Sequence, residues 1–347
     1  GGAVAPGASG ALRRGPGDHR GGCLMSDVLR VGVVGLGQMG RNHARVVTEV
    51  DGIELAGVAD PMGDPMSAAR GAPVFDDPRR LIDHGIDMAV VAAPTSDHLN
   101  VGMLLCEAGV HALVEKPLAD TVESAIALRD GFDAAGLVGC VGHIERYNPS
   151  LQQLKKRLED GQAGDIFQIA TRRIGPFPAR IKDVGVVKDL ATHDLDLTAW
   201  IAGSHYATVS ARTASKTGRE HEDLVAVTGQ LEDGTIANHL VNWLSPVKER
   251  LVMVTGTHGA FLADTISGDL TWFANADVPT EWSAMGVMRG VAEGDMIRYA
   301  YPKPEPLRVE HEAFRDAVLG LRSDVVTMAE GVRVVDVAEQ VLASARS

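Results

Sequence analysis

The stretch Leu29-Arg-Val-Gly-Val-Val34-Gly35-Leu-Gly37-Gln38-Met39-Gly40 decides the fold. An apolar run ends in Gly35-x-Gly37-x-x-Gly40, and a helical pattern follows to about Val50. In a strand–turn–helix context, Gly35 permits the tight turn and Gly37 lets backbone approach a ligand without a Cβ. Gly40 lets the helix pack closely on the strand. Free N–H groups and the helix dipole then favour a pyrophosphate at this end, and Gln38 and Met39 belong to the same candidate cofactor loop. A second apolar strand, 53–59, ends at Asp60, 20 residues beyond Gly40. A carboxylate there accepts hydrogen bonds from an adenosine ribose. Pro61 and Met62 follow it where an arginine would be needed for a 2′-phosphate, so the pattern favours NAD over NADP.

Working outward, apolar strands are expected at 88–92, 111–115 and 137–142, with helices such as 99–108 and 122–135 between them. Strands apolar throughout and separated by helices imply a parallel sheet covered on both faces, wound in two directions as in the Rossmann fold. Beyond about Asn148 the rhythm changes. One helix (150–159) leads into alternating strands at 165–173, 208–213, 224–231, 235–243 and 250–255, with Asp233-Gly234 as a hairpin turn. The expected architecture is α/β: a Rossmann domain over 26–147 followed by an α+β domain over 148–347 with a mostly antiparallel open sheet. Two closing helices, 306–319 and 329–345, are expected to pack back near the Rossmann domain. Residues 1–25 hold eight glycines, two prolines and three arginines without periodicity, and read as a disordered or non-native tail.

Composition narrows the function classes. With 347 residues, 45% hydrophobic and 23% charged, the chain reads as globular, not disordered. A net charge of −13 argues against a nucleic-acid footprint. The longest apolar run, about 88–94, is far below the roughly 20 residues needed to cross a bilayer, so no membrane partner is expected. Cys23, Cys106 and Cys140 are odd in number and lack ligand spacing, which fits a reduced, cytoplasmic protein.

Two more segments close predicted strands: Pro94-Thr95-Ser-Asp-His98 and Glu115-Lys116-Pro117. Ligands of open parallel sheets bind beyond the carboxyl ends of strands, so both segments should face the crevice of the glycine loop. Lys116, held by the turn at Pro117, can donate to a hydroxyl or help move its proton. Farther on, Asp189-Leu-Ala-Thr-His193-Asp194-Leu-Asp196 places Asp189 and His193 on one helix face. Imidazole titrates near neutral pH and suits a general base. A metal reading lacks a third or fourth ligand, so no metal is expected; the alternative is a helix start carrying acids that suit its dipole.

The run Gly35-Leu-Gly-Gln-Met-Gly40-Arg-Asn-His43, with Pro94-Thr95-x-x-His98, Glu115-Lys116-Pro117 and Asp189-x-x-x-His193, resembles the glucose-fructose oxidoreductase/inositol dehydrogenase/MocA (Gfo/Idh/MocA) family from Leu29 onward. Gly142-His-Ile-Glu-Arg-Tyr-Asn-Pro149, Arg173-Ile-Gly-Pro-Phe-Pro-Ala-Arg180, the run 184–196 and Val241-Asn-Trp-Leu-Ser-Pro246 are similar to its UDP-N-acetylglucosamine 3-dehydrogenase group. The resemblance implies that Lys116 bonds the substrate hydroxyl, His193 takes its proton and Asp189 holds the sugar, while hydride passes to nicotinamide C4. Arg146, Tyr147, Asn148, Arg180 and Lys182 are then expected on the substrate side. Their cations, with Arg173, suit a diphosphate. Tyr147-Asn148 stands where many relatives carry phenylalanine with asparagine. The expected activity is oxidation of a ring secondary alcohol, the 3-hydroxyl of a UDP-hexose such as UDP-N-acetylglucosamine, to a ketone open to later amination. An inositol or polyol dehydrogenase is one rival, and a non-catalytic NAD-sensing regulator is another. Family members use the antiparallel sheet face for assembly, so a homodimer or homotetramer is implied.

Overall fold

The computed structural model describes residues 28–177, 184–276 and 292–346. Strand β1 (Leu29–Val34) is apolar and buried from Val31 to Val34 because it lies at the centre of a sheet. It pairs in parallel with β2 (Ile53–Ala59) on one side and β4 (Met88–Val91) on the other. With β3 (Val74–Phe75), β5 (His111–Glu115) and β6 (Gly139–Gly142), the order across the described sheet is β3-β2-β1-β4-β5-β6. The winding direction reverses between β1 and β4, which opens a crevice at their carboxyl ends. Helices α1 (Gln38–Val47), α2 (Pro78–Asp83), α3 (His98–Glu107) and α4 (Val122–Ala135) accompany the sheet. The sequence reading passed over β3 and α2, which are too short to show periodicity. The available signal was Asp77-Pro78, where the Asp77 side chain accepts from the Arg79 amide and proline opens the helix.

The second sheet contains β7 (Ile166–Pro176), β8 (Tyr206–Ala214), β9 (Leu224–Leu231), β10 (Ile236–Asn242), β11 (Leu244–Gly256), β12 (Gly259–Asp264), β13 (Asp269–Ala276) and β14 (Ala292–Arg298). Its order is β14-β13-β12-β11-β7-β10-β9-β8. The described pairs are antiparallel except β10 with β7. The last three strands were not anticipated. One face packs on helices α5 (Pro149–Glu159) and α6 (Thr192–Ala202), so β9 alternates, with Val225, Val227 and Leu231 buried.

The closing helices, α7 (Pro306–Val318) and α8 (Met328–Arg346), join the two halves. Leu307 and Phe314 of α7 belong to the core around Val31, Val33 and Leu113. Met328, Val332 and Val335 of α8 enter the core with Val114 and Val141, whereas Val337, Ala338 and Val341 pack with Leu195 and Trp243. One helix therefore contributes to the cores of both sheets.

On the covered face, the imidazole of His239 (β10) lies between the Thr171 hydroxyl (2.8 Å) and the Tyr206 hydroxyl (2.7 Å). Burial pushes its pKa down to about 3. In the unfolded chain the group titrates near 6.5, so between those values the unfolded state binds more protons. Its contribution is complete above about pH 6.5 and is lost as pH falls toward the folded value. We expect urea-unfolding free energy to fall below that pH by up to about 1.4 kcal/mol per pH unit for each such histidine. His239→Gln should flatten the slope; an unchanged slope in the variant would exclude this source.

Candidate active site

The three glycines of the first turn have separable causes. Gly35 has φ +90, and a Cβ there would lie 2.6 Å from the Ala92 carbonyl oxygen. A Cβ on Gly40 would come within 1.8 Å of the Gly35 carbonyl oxygen. The chain's own packing therefore demands glycine at both positions. Gly37 is different: its φ is −61, and no atom of the described residues lies within 4 Å of where its Cβ would stand. Gly37 borders a cleft of about 1170 Å³ that runs past Asp60, Pro94 and Thr95 to Lys116, Asp189 and His193. Gln38, Met39, His98 and Glu115 also line it, whereas Gly40 serves the turn beneath.

Among the described residues no side chain caps the α1 N-terminus, and its first turn holds no acid. Its amides and dipole suit a diphosphate. Asp60 Oδ2 accepts from the Leu36 amide (2.7 Å) and Oδ1 from the Met62 amide (2.8 Å), which fixes the carboxylate at the end of β2. Each oxygen keeps acceptor capacity for a ribose hydroxyl. An open Cβ direction, free helix-end amides and a fixed acid together fit NAD.

His98 and Glu115 reach the cleft edge with their polar atoms already engaged. The His98 ring nitrogens lie 3.0 Å from the Pro117 carbonyl oxygen and 3.1 Å from that of Ala93, so its single N–H donates to one strand-end turn while the ring packs against the other. Glu115 Oε1 contacts His43 Nε2 at 2.8 Å, and Glu115 Oε2 accepts from the Lys116 amide at 3.1 Å. His43 Nδ1 in turn meets His311 Nε2 at 2.9 Å. Burial opposes the Glu115 charge, but His43 and Lys116 outweigh it and hold the carboxyl below its ordinary value. This buried chain from α7 to the lysine turn was not read from the sequence, although His43 stood in the quoted motif.

Lys116 Nζ donates to the Asp189 carbonyl oxygen (2.7 Å) and to Asp189 Oδ1 (3.3 Å). Asp189 lies in a π-helical turn, Val187–Ala191, that runs directly into α6. Asp189 Oδ2 and His193 Nδ1 are buried without a hydrogen-bond partner among the described residues. Such orphaned atoms cost about 1–3 kcal/mol each, and in cleft-lining side chains they are complementary to ligand hydroxyls. Burial first, then the charges of Lys116 and Arg173, drive the His193 pKa well below its ordinary value. At neutral pH its imidazole is a free base. His143 packs edge-on against it, with centroids 6.5 Å apart.

Several expected substrate residues lie elsewhere. Arg146 makes a bidentate pair with Asp196, Nε to Oδ2 at 2.9 Å and Nη2 to Oδ1 at 2.6 Å, and its Nη1 donates to Glu330 at 2.7 Å. Arg173 is buried and donates to Asp194 (2.9 Å) and Glu145 (2.8 Å). Both guanidinium groups neutralise the acids of α6 instead of facing the cleft. The Tyr147 hydroxyl donates to the Asp324 carbonyl (3.3 Å). Asn148 caps α5 through Ser150 (3.1 Å) and donates to the Thr265 carbonyl (2.9 Å). Closeness in sequence to a site motif placed these residues near the site but did not show where they point. The readable signal was Asp194 and Asp196 on an apolar helix, since buried acids call for buried counter-charges. Arg180 and Lys182 lie outside the described residues.

Residues 29–143 match the family model described as an oxidoreductase family with an NAD-binding Rossmann fold, and residues 151–262 match the GFO/IDH/MocA C-terminal domain. UDP-N-acetylglucosamine 3-dehydrogenase of Acidithiobacillus ferrooxidans is 32% identical over 60% of this chain and 66% of its own length. Inositol 2-dehydrogenase 2 of Saccharopolyspora erythraea is 31% identical over 56% of this chain and 60% of its own. Each sequence match thus spans less than two thirds of the relative. The solved structure of the Acidithiobacillus enzyme superposes with a TM-score of 0.79 at 27% identity, covering 91% of this chain and 97% of that one. GenD2 from gentamicin A biosynthesis, solved in complex with NAD, gives 0.77 at 26% identity, covering 95% and 98%.

Two measurements check this geometry. Gly37→Val should leave the melting temperature unchanged and weaken NAD binding at least about tenfold, whereas Gly40→Ala should lower the melting temperature. Arg146→Ala should cost about 3–5 kcal/mol of unfolding free energy by stranding Asp196. A full-stability Arg146→Ala protein would return that residue to the list of ligand contacts.

Proposed function

Because the chain belongs to the Gfo/Idh/MocA family of NAD-binding oxidoreductases, we propose that it is an NAD-dependent dehydrogenase of a sugar-ring secondary alcohol, with the 3-hydroxyl of a UDP-hexose such as UDP-N-acetylglucosamine as the reacting group. The observation that carries this reading is the neutral, buried His193 beside the Lys116–Asp189 pair, on the same cleft as the glycine loop. NAD, when bound there, supplies the hydride acceptor. The chain's own groups handle the hydroxyl. Lys116 Nζ orients it and stabilises negative charge developing on its oxygen, and His193 accepts the departing proton. Asp189 holds the ammonium through Oδ1 and offers the unpartnered Oδ2 to a neighbouring sugar hydroxyl.

The 3-hydroxyl reading is supported by the Acidithiobacillus relative and by the motif runs quoted from the sequence. The nearly equal identity of an inositol dehydrogenase keeps a polyol substrate as the second reading. The orphaned catalytic atoms weigh against a silent NAD sensor, which needs the glycine loop but not a base. The keto product suits a later transamination.

A second copy of the chain is proposed for the uncovered face of the larger sheet. There Leu240, Met253 and Phe273 are 39%, 40% and 38% exposed. Among the described residues no helix is long and apolar enough to cross a membrane, and a cytoplasmic setting is part of the same proposal.

Absorbance of reduced nicotinamide should rise faster with UDP-N-acetylglucosamine or UDP-glucose than with an equal, low concentration of myo-inositol; a signal from inositol alone moves the enzyme to the polyol reading. His193→Ala should lower kcat about 100- to 10,000-fold. In the wild type, the acid limb of kcat/KM should fall below about pH 6.5, the ordinary imidazole value, because the free base persists to lower pH. Wild-type kcat in His193→Ala would remove that residue as the base.

A further inference from the structure

We infer that Arg250 is the cation that receives an anionic group of the substrate, a phosphate or a carboxylate carried close to the reacting carbon. This deepens the dehydrogenase reading and rests on it. Arg250 lies on β11, where Val252 and Val254 are buried against the helix-covered side of the sheet. Side chains two apart on a strand share a face, so Arg250 points to that side too. Its cross-strand partner is Arg173 of β7, whose guanidinium is bonded to Asp194, the neighbour of His193. Arg250 is therefore near enough to the start of α6 for its charge to act on both His193 and Asp189.

Its bonding differs from that of the other two arginines. Arg146 and Arg173 are each gripped by two carboxylates. Among the described residues, Arg250 donates only from Nη1, to the backbone carbonyls of Ile174 and Glu249, both at 3.1 Å. Among the described residues no carboxylate pairs with it. Glu145 and Asp194 lie near enough to balance its charge, but their hydrogen bonds go to Arg173. The remaining Nε–Nη2 edge is the planar fork that matches a carboxylate or phosphate with two parallel bonds. Burial and the Arg173 charge both disfavour the protonated guanidinium, and a bound anion would offset both.

The placement suits a ring sugar. In a UDP-hexose the inner phosphate hangs from C1, a short way round the ring from C3. In a hexuronate the carboxylate hangs from C5, a short way round in the other direction. An arginine beside the base that serves C3 can meet either, and neither group exists on a neutral polyol.

The test uses NAD-loaded full-length protein as wild type, Arg250→Gln and Arg250→Lys. The probes are UDP-N-acetylglucosamine, glucuronate and myo-inositol. Arg250→Gln should raise KM for an anionic probe roughly 10- to 100-fold, the loss of a charge-assisted contact. It should change kcat less, and NAD affinity should report an intact fold. The KM for myo-inositol should move by no more than about twofold. Arg250→Lys should recover part of the loss, since it restores the charge without the fork. A shift confined to UDP-N-acetylglucosamine assigns the phosphate, and one confined to glucuronate assigns the carboxylate. An equal shift for neutral and anionic probes, or none, overturns the Arg250 assignment while the dehydrogenase reading stands. If the wild type turns over none of the probes, that reading fails. Calorimetric binding of UDP and glucuronate then decides alone: loss in Arg250→Gln keeps the anion site, and binding equal to wild type removes it.

Discussion

Two buried arginine–carboxylate clusters hold α6, and the candidate site depends on them. Asp194 pairs with Arg173 from β7, and Asp196 pairs with Arg146 from the turn after β6. The helix carrying His193 is thereby anchored to the second sheet through one acid and to the end of the first sheet through the other. Breaking a buried pair by removing one partner costs about 3–5 kcal/mol, and misplacing a base by about an ångström can cost a hundredfold in rate. In this arrangement stability and catalytic geometry depend on the same contacts.

A second connection works at lower polarity. Helix α8 enters the Rossmann-side core with Met328, Val332 and Val335 and the other core with Val337, Ala338 and Val341. Its Glu330 also accepts from Arg146, so the apolar bridge and an ionic cluster meet. The Lys116–Asp189 contact spans the cleft between them. Relative motion of the halves would have to strain this packed helix or break these ion pairs.

Strand and helix patterns made most of the architecture legible. Strands β1, β2 and β5 follow their apolar runs residue for residue, because a parallel strand buried on both faces cannot hide its composition. β12 and β13 escaped notice because small residues, such as Ala260 and Ala263 in β12 and Ala274 and Ala276 in β13, interrupt their apolar pattern. At the candidate site, the structure brings Gly35, Gly37, Asp60, Lys116, Asp189 and His193, all singled out from the sequence, along one cleft. For Arg146 and Arg173, expected on the substrate side, charge type alone does not reveal the acid partners that the structure gives them. Each finds its acid on α6, 50 and 21 residues away in sequence. Arg250 gave no signal at all, since an arginine on an alternating strand looks the same whether it faces water or a site.

The clusters that anchor α6 also set the state of the base. Asp194 and Asp196 need cations, and those cations cannot be screened by water where they lie. His193 therefore sits in a field dominated by burial, Lys116, Arg173 and Arg250, all of which favour the neutral imidazole. An exposed histidine would be partly protonated near pH 6.5 and would lose base activity there. The imidazolium formed when a proton is accepted is destabilised by the same field, which favours rapid loss of that proton once the product forms. A substrate anion at Arg250 would weaken the field at the moment of binding and raise the basicity of His193 when the hydroxyl arrives. Recognition of the anion and activation of the base would then be coupled through one guanidinium.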